Sequence, residues 1–244
     1  MDRRWMIGVA LAALLAAGCG EERTPAPWWA TVTGVAGDSL GFEDRWEISG
    51  AGRSGVGFTA RVLDRDHARL DFSPAAGGYS IIYNKGRTAR LKGGIYEDAP
   101  IDRTMLLTYL IPYLGGERLT SVLEMIGIDI TRVTRDVAWA GHTCLRIGGS
   151  PAADSSASES ELHPAIYFDQ QTGAALRLVN VTESRMGTRV AEIRLFDHSR
   201  RRGAYLPTRL ETWDPDELRS RLTRVSAREG SFSVPALYHI PFPS

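Results

Sequence analysis

The chain has 244 residues, 43% of them hydrophobic, and Lys plus Arg and Asp plus Glu both number 29. A formal charge of zero leaves no electrostatic footprint for nucleic acid, and two cysteines exclude a fold stapled by several disulfides. The length suits one large or two small domains, and the apolar fraction is enough for a core of its own.

The first element is a leader. Arg3 and Arg4 precede an apolar run that starts at Trp5 and closes as Leu14-Leu15-Ala16-Ala17-Gly18-Cys19. A basic start, a short apolar stretch and small residues before a cut define a signal peptide over residues 1–18. The run of about 13 residues falls short of the ~20 that a spanning helix needs. The cysteine behind those small residues resembles the lipobox of bacterial lipoproteins, although Ala16 stands where that family more often has Leu. The resemblance implies that Cys19 is the first mature residue and is lipidated. The chain is then held to the membrane by acyl chains, each buried methylene contributing about 0.8 kcal/mol. Gly20 in place of Asp implies, by enterobacterial sorting, an outer-membrane anchor facing the periplasm. Cleavage takes two Arg and one Asp from the 29 and 29, leaving 27 basic and 28 acidic residues. It also leaves Cys144 without an intramolecular disulfide partner. Residues 19–27 are polar and Pro-bearing and read as a tether, with a single domain expected over 28–244.

Trp28 to Ala36 reads as a short helix or strand. From Trp46 the pattern has period two. Val56, Phe58, Ala60 and Val62 alternate with Gly57, Thr59, Arg61 and Leu63, then Ala68, Leu70 and Phe72 with Arg69, Asp71 and Ser73. Tyr79, Ile81 and Tyr83 follow, then Ala89 and Leu91. Such alternation predicts strands with one face buried. The turn chemistry at Asp64-Arg65-Asp66, at residues 74–78 and at Asn84-Lys85-Gly86 predicts antiparallel hairpins.

The period changes once. Ile101 to Leu114 is apolar almost all round, with Asp102 as a cap, and predicts a helix that is buried or meets another apolar surface. Pro112 kinks or ends it. Glu117 to Ile126 predicts a second helix with Leu119, Val122, Leu123 and Ile126 on one face and Gly127 as its stop. Strand patterns resume at Val133–Ala138, Thr143–Ile147, Ala165–Phe168, Leu176–Val181, Val190–Phe196, Ala204–Trp213 and Leu218–Ala227. Residues 150–160 read as an exposed loop, and Arg200-Arg201-Arg202-Gly203 as a solvated hairpin tip. The apolar, Pro-bearing tail from Phe232 to Phe242 is expected to pack across an edge or rim.

The fold class is thus mainly β (α+β): about ten antiparallel strands, enough to curl, with a two-helix insert as lid or plug. The strand Ala165-Ile166-Tyr167-Phe168-Asp169 with Thr172-Gly173, then Gly203-Ala204-Tyr205-Leu206-Pro207, resembles the LolA/LolB-like lipoprotein-localisation superfamily. Gly34-Val35 through Leu40 to Ile48-Ser49-Gly50 is similar to that family's entry helix and first strand. The resemblance covers most of Thr31 to Pro243. It implies a half-open antiparallel β-barrel whose concave apolar face holds acyl chains beneath helices, as a monomer without cofactor or metal. Phe58, Val62, Leu70, Phe72, Ile81 and Tyr83 are then expected on the wall, and Met105, Leu106, Tyr109, Leu110 and Tyr113 on the lid. The partners are acyl chains or a lipidated protein.

Other motifs carry less. Gly37-Asp38-Ser39-Leu40 is similar to the nucleophile block of GDSL esterases, but Asp64-Arg65-Asp66-His67 comes too early for that family's base and no oxyanion block follows. Gly50-Ala51-Gly52-Arg53-Ser54-Gly55 matches a dinucleotide fingerprint, but period-two residues follow where a helix is required. His142, Cys144 and Arg146 share one strand face with no further ligand at matching spacing. Asp64, Asp66 and His67 read as a polar hairpin tip. The sequence therefore points to a lipid-anchored binding module with no catalytic activity. A protein-interaction or sensor lipoprotein of the same fold is the alternative, and a GDSL-type esterase the remote one.

Overall fold

The computed structural model describes residues 28, 32, 41–50, 53–64, 66–85, 87–97, 110, 111, 114, 116–149, 163–184, 187–201, 203–214, 217–230 and 238–240. The first six strands are consecutive hairpins: β1 (Phe42–Gly50), β2 (Arg53–Val62), β3 (His67–Phe72), β4 (Tyr79–Asn84), β5 (Arg87–Lys92) and β6 (Ile95–Glu97). Helix α1 (Gly116–Met125) follows. Then come β7 (Val133–Trp139), β8 (His142–Gly148), β9 (Ala165–Asp169), β10 (Ala175–Ser184) and β11 (Gly187–Phe196). The short pair β12 (Ser199–Arg201) and β13 (Ala204–Leu206) precedes β14 (Arg209–Asp214) and β15 (Glu217–Glu229).

Thirteen strands form one antiparallel sheet in the order β6-β5-β4-β3-β2-β1-β15-β14-β11-β10-β9-β8-β7, and β12 with β13 makes a separate two-stranded piece. The expected count of about ten is therefore too low. Gly93-Gly94 turns the chain back after Lys92 to add β6, and Pro207, which cannot donate to a ladder, separates β13 from β14. Strands β6 and β7 stand at the two ends of the sheet, so it does not close on itself among the described residues. The expected pair of helices is met by one described helix, α1. Of the stretch read as the other, only Leu110, Ile111 and Leu114 are described, and all three are buried.

The sheet nevertheless curls. Arg118, in the first turn of α1, bonds Asp66 in the β2–β3 turn at 3.1 Å. At the other end of the helix, Ile128 packs on Gly148 of β8 and the Gly148 N–H bonds the Arg132 carbonyl at 2.8 Å. In a flat sheet β2 and β8 would lie seven spacings apart, roughly 34 Å, whereas ten helical residues span about 15 Å. The two halves must wrap around α1. Gly148 permits the approach: its φ is +80°, and a Cβ there would stand 2.9 Å from Ile128 Cγ2 and 2.4 Å from the Pro164 carbonyl oxygen.

Alternation in the strands sets the two faces. The inner face carries Phe42, Trp46, Phe58, Leu70, Leu145, Phe168 and Leu222, packed in one cluster with Leu119, Val122 and Leu123 of α1. The outer face carries cross-strand ion ladders. Arg61 bonds Glu43 at 2.8 Å and also Asp71, which is shared with Arg69 at 2.6 Å. In the other half Glu192 takes Arg177 and Arg194, and Glu211 takes Arg209 and Arg221. The C-terminal segment packs across this outer face: Ile240 meets Ile82, Ala89 and Leu91, and the Tyr238 carbonyl accepts a bond from Asn84 at 2.8 Å. No helix among the described residues is long and apolar enough to cross a membrane.

Candidate functional site

The six residues expected on the wall meet on one face. Cross-strand register places Phe58 opposite Phe72 and Leu70 opposite Ile81, and Phe58, Val62, Leu70, Phe72, Ile81 and Tyr83 all belong to the cluster that contains Leu110. Their rings are in contact: Phe58 lies 6.2 Å from Trp46 and 5.2 Å from Phe72, which stacks on Tyr79 at 4.5 Å. Leu70, Ile81 and Leu110 keep at most 1% of their surface. The inner face is thus filled by the chain's own helix, by Leu110, Ile111 and Leu114, and by Trp28, which stacks on Phe168 at 6.5 Å. Among the described residues these side chains pack against one another, so an occupant of this face must displace what covers it. Met105, Leu106, Tyr109 and Tyr113 lie outside the described residues, as do Cys19 and Ser39.

A charged group faces this interior. Asp44 lies between Phe42 and Trp46 with 1% of its surface exposed. It bonds Arg201 at 2.9 Å and meets Arg224 at 3.5 Å, while Arg201 also covers the Phe42 ring at 4.6 Å and Arg224 bonds the Ser199 hydroxyl. Arg201 sits in the run read as a solvated hairpin tip. The structure corrects this for Arg201: Arg200 and Gly203 are exposed, but the Arg201 side chain keeps 12% of its surface and pairs with Asp44, because an isolated buried carboxylate is far too costly.

The outer face holds a second constellation, at the strand ends formed by Trp139, His142, Asp169 and Phe196. Asp169 closes the β9–β10 turn, its Oδ1 accepting the N–H groups of Gln171 and Thr172 at 2.9 and 2.7 Å and the Thr172 hydroxyl at 2.9 Å. Its Oδ2 binds His142 Nδ1 at 2.6 Å. Burial pushes the Asp169 carboxyl up, but the bonds from Thr172 and His142 outweigh it and leave the group below its ordinary value. Nearby His198 donates through Nε2 to the Ala175 carbonyl at 2.9 Å, and burial, partly opposed by that bond, holds its pKa below the usual imidazole value. These side chains line a cavity of about 400 Å³ with Trp139, Phe196 and Tyr205. Sequence reasoning placed His142 and Cys144 on one face and Asp169 in a turn, but not the 27-residue link between His142 and Asp169. Cys144 is wholly buried, and burial followed by the Asp169 charge pushes its thiol up to about 11, so it is no thiolate nucleophile near neutrality.

The β2–β3 turn is a self-satisfied tip. Asp64 holds His67 Nδ1 at 2.8 Å and the Asp66 N–H at 2.7 Å. The glycine-rich run after Ile48 leads from β1 into β2, a strand rather than a helix.

No family model and no curated protein matches the chain. Solved structures do. A proposed outer membrane lipoprotein-sorting protein domain from Vibrio parahaemolyticus aligns with a TM-score of 0.51 and 10% identity, over 86% of this chain and 94% of that one. A LolA superfamily protein from Nitrosomonas europaea aligns at 0.44 and 9% identity over the same shares. The first likeness shows the fold alone, here a large open antiparallel sheet curled round an apolar interior.

Proposed function

We propose that this chain is a monomeric, lipid-anchored envelope protein that binds acyl chains, free or on a lipidated protein, on the inner face of its sheet, without catalysing a reaction. The observation that carries the reading is the single buried cluster that joins six wall residues to Leu110 and α1. Met105, Leu106, Tyr109 and Tyr113 complete the lid in this reading, and Cys19 supplies the anchor. The energetics favour exchange. Leu119, Val122, Leu123 and Ile128 forfeit about 1.5–3 kcal/mol each if they leave the core, on the order of 10 kcal/mol in all. An acyl chain of about 14 methylenes recovers about 0.8 kcal/mol per methylene, a similar total. Helix and chain are therefore matched competitors for one surface, which is what loading and release require. An acyl tail has no polar atoms along its length, so few polar groups are needed to hold it.

Native mass spectrometry of the mature chain made with Cys19→Ala, first stripped of lipid and then offered palmitate, tests this. A one-to-one adduct supports the reading. Absence of an adduct, together with a stoichiometric protein cross-linked from the envelope, would replace it with the protein-interaction alternative.

A further inference from the structure

We infer that the cavity on the outer face, between the His142–Asp169 pair and the β12–β13 hairpin, is a binding site for a neutral sugar ring. The cavity lies across the sheet from α1: His142 alternates with Leu145 and Ile147, which face the inner cluster. Its volume of about 400 Å³ is at the small end for ligand pockets and suits about one or two pyranose rings, not a lipid.

Charge decides the ligand class by elimination. Among the described residues no Lys or Arg lines the cavity, which disfavours phosphate and carboxylate ligands. Its two carboxylates are already compensated, Asp169 by Thr172, Gln171 and His142, and Asp197 by Arg209 at 2.8 Å. Three guanidinium groups that do not line the cavity stand near its rings, Arg177 at 5.9 Å from Trp139, Arg209 at 4.4 Å from Phe196 and Arg200 at 6.0 Å from Tyr205, so positive charge already surrounds it. An organic cation therefore finds compensated carboxylates and neighbouring like charge, both of which oppose its binding.

What the lining does offer is acceptors for hydroxyl groups. The Asp169 carboxylate can only accept, so His142 donates to it through Nδ1 and keeps Nε2 as its second polar atom. The Ala175 carbonyl likewise places the His198 proton on Nε2 and leaves Nδ1 as a lone pair. The Gln171 amide and the Tyr205 hydroxyl add adaptable donors and acceptors. Two imidazoles held in place by Asp169 and by the Ala175 carbonyl, beside Trp139, Phe196 and Tyr205, match a ligand with an apolar ring face and a hydroxyl edge, which describes a sugar.

Titration of the mature chain with cellobiose, maltose and N,N′-diacetylchitobiose, followed by tryptophan fluorescence, tests the site. At least one should saturate below about 10 mM. His142→Ala and Tyr205→Ala should each weaken it about tenfold while palmitate binding on the other face is unchanged. His142 is half-exposed, so its removal leaves the core intact, and Trp139→Phe, which keeps a stacking ring, should retain most of the affinity. Failure of all three sugars to saturate overturns the proposal. So does binding that survives both alanine variants, or His142-dependent binding of tetramethylammonium or inorganic phosphate in their place.

Discussion

Asp44 is the side chain on which the inner face depends most. Removing one partner of a buried ion cluster strands the other charges, at about 3–5 kcal/mol. Asp44→Ala should lower the urea midpoint accordingly, because Arg201 and Arg224 would lose the buried carboxylate between them. His198 sets an acid limit of a different kind. Its folded pKa is depressed, so below about pH 6.5 the unfolded chain takes up the proton first and stability falls as pH drops. The titratable groups facing it are His142, Asp169 and Asp197. His198→Gln keeps a donor for the Ala175 carbonyl and cannot be protonated. The difference in Tm between wild type and this variant should therefore grow from pH 7 to pH 5 in the variant's favour. Cys144, with its thiol pushed up to about 11, should resist a thiol reagent at pH 8 until the chain is unfolded.

At the scale of elements, α1 is a plug held by side chains rather than by a ladder. Leu123→Ala should cost about 2–5 kcal/mol and raise the binding of a dye that reports apolar surface. Gly148→Ala strikes the same contact from the sheet, since the new Cβ collides with Ile128 and an alanine is strained at the left-handed φ of +80°. The inner wall was legible in the sequence because period-two runs joined by short turns fix which residues share a face. Val62, Leu70 and Tyr83 need no more than that. What was not legible depends on distant partners. Arg201 looks like one more arginine in a solvated run, and only the 157-residue link to Asp44 reveals its burial. The Asp169 turn was legible from Asp-Gln-Gln-Thr-Gly, since its Oδ1 bonds are local, whereas the Oδ2 bond to His142 is not. The first apolar helical stretch was expected as a lid, and its described residues Leu110, Ile111 and Leu114 are buried in the core.

At the scale of the molecule, a thirteen-stranded sheet curls because its two halves share one short helix. Its outer face carries Arg–carboxylate ladders. The two central carboxylates of the second half, Glu192 and Glu211, are themselves buried and each is matched by two arginines. The central claim is that an acyl chain enters by displacing α1. Asp66 and Arg118 join the helix to the β2–β3 turn through a solvent-facing pair. Asp66→Cys and Arg118→Cys, made together in the Cys19→Ala chain and bridged by a short bismaleimide, would fix the helix in place. The most direct measurement is the uptake of a fluorescent fatty acid by this double variant before and after bridging. The account predicts saturable uptake before bridging and its loss afterwards; equal uptake in both states would contradict it.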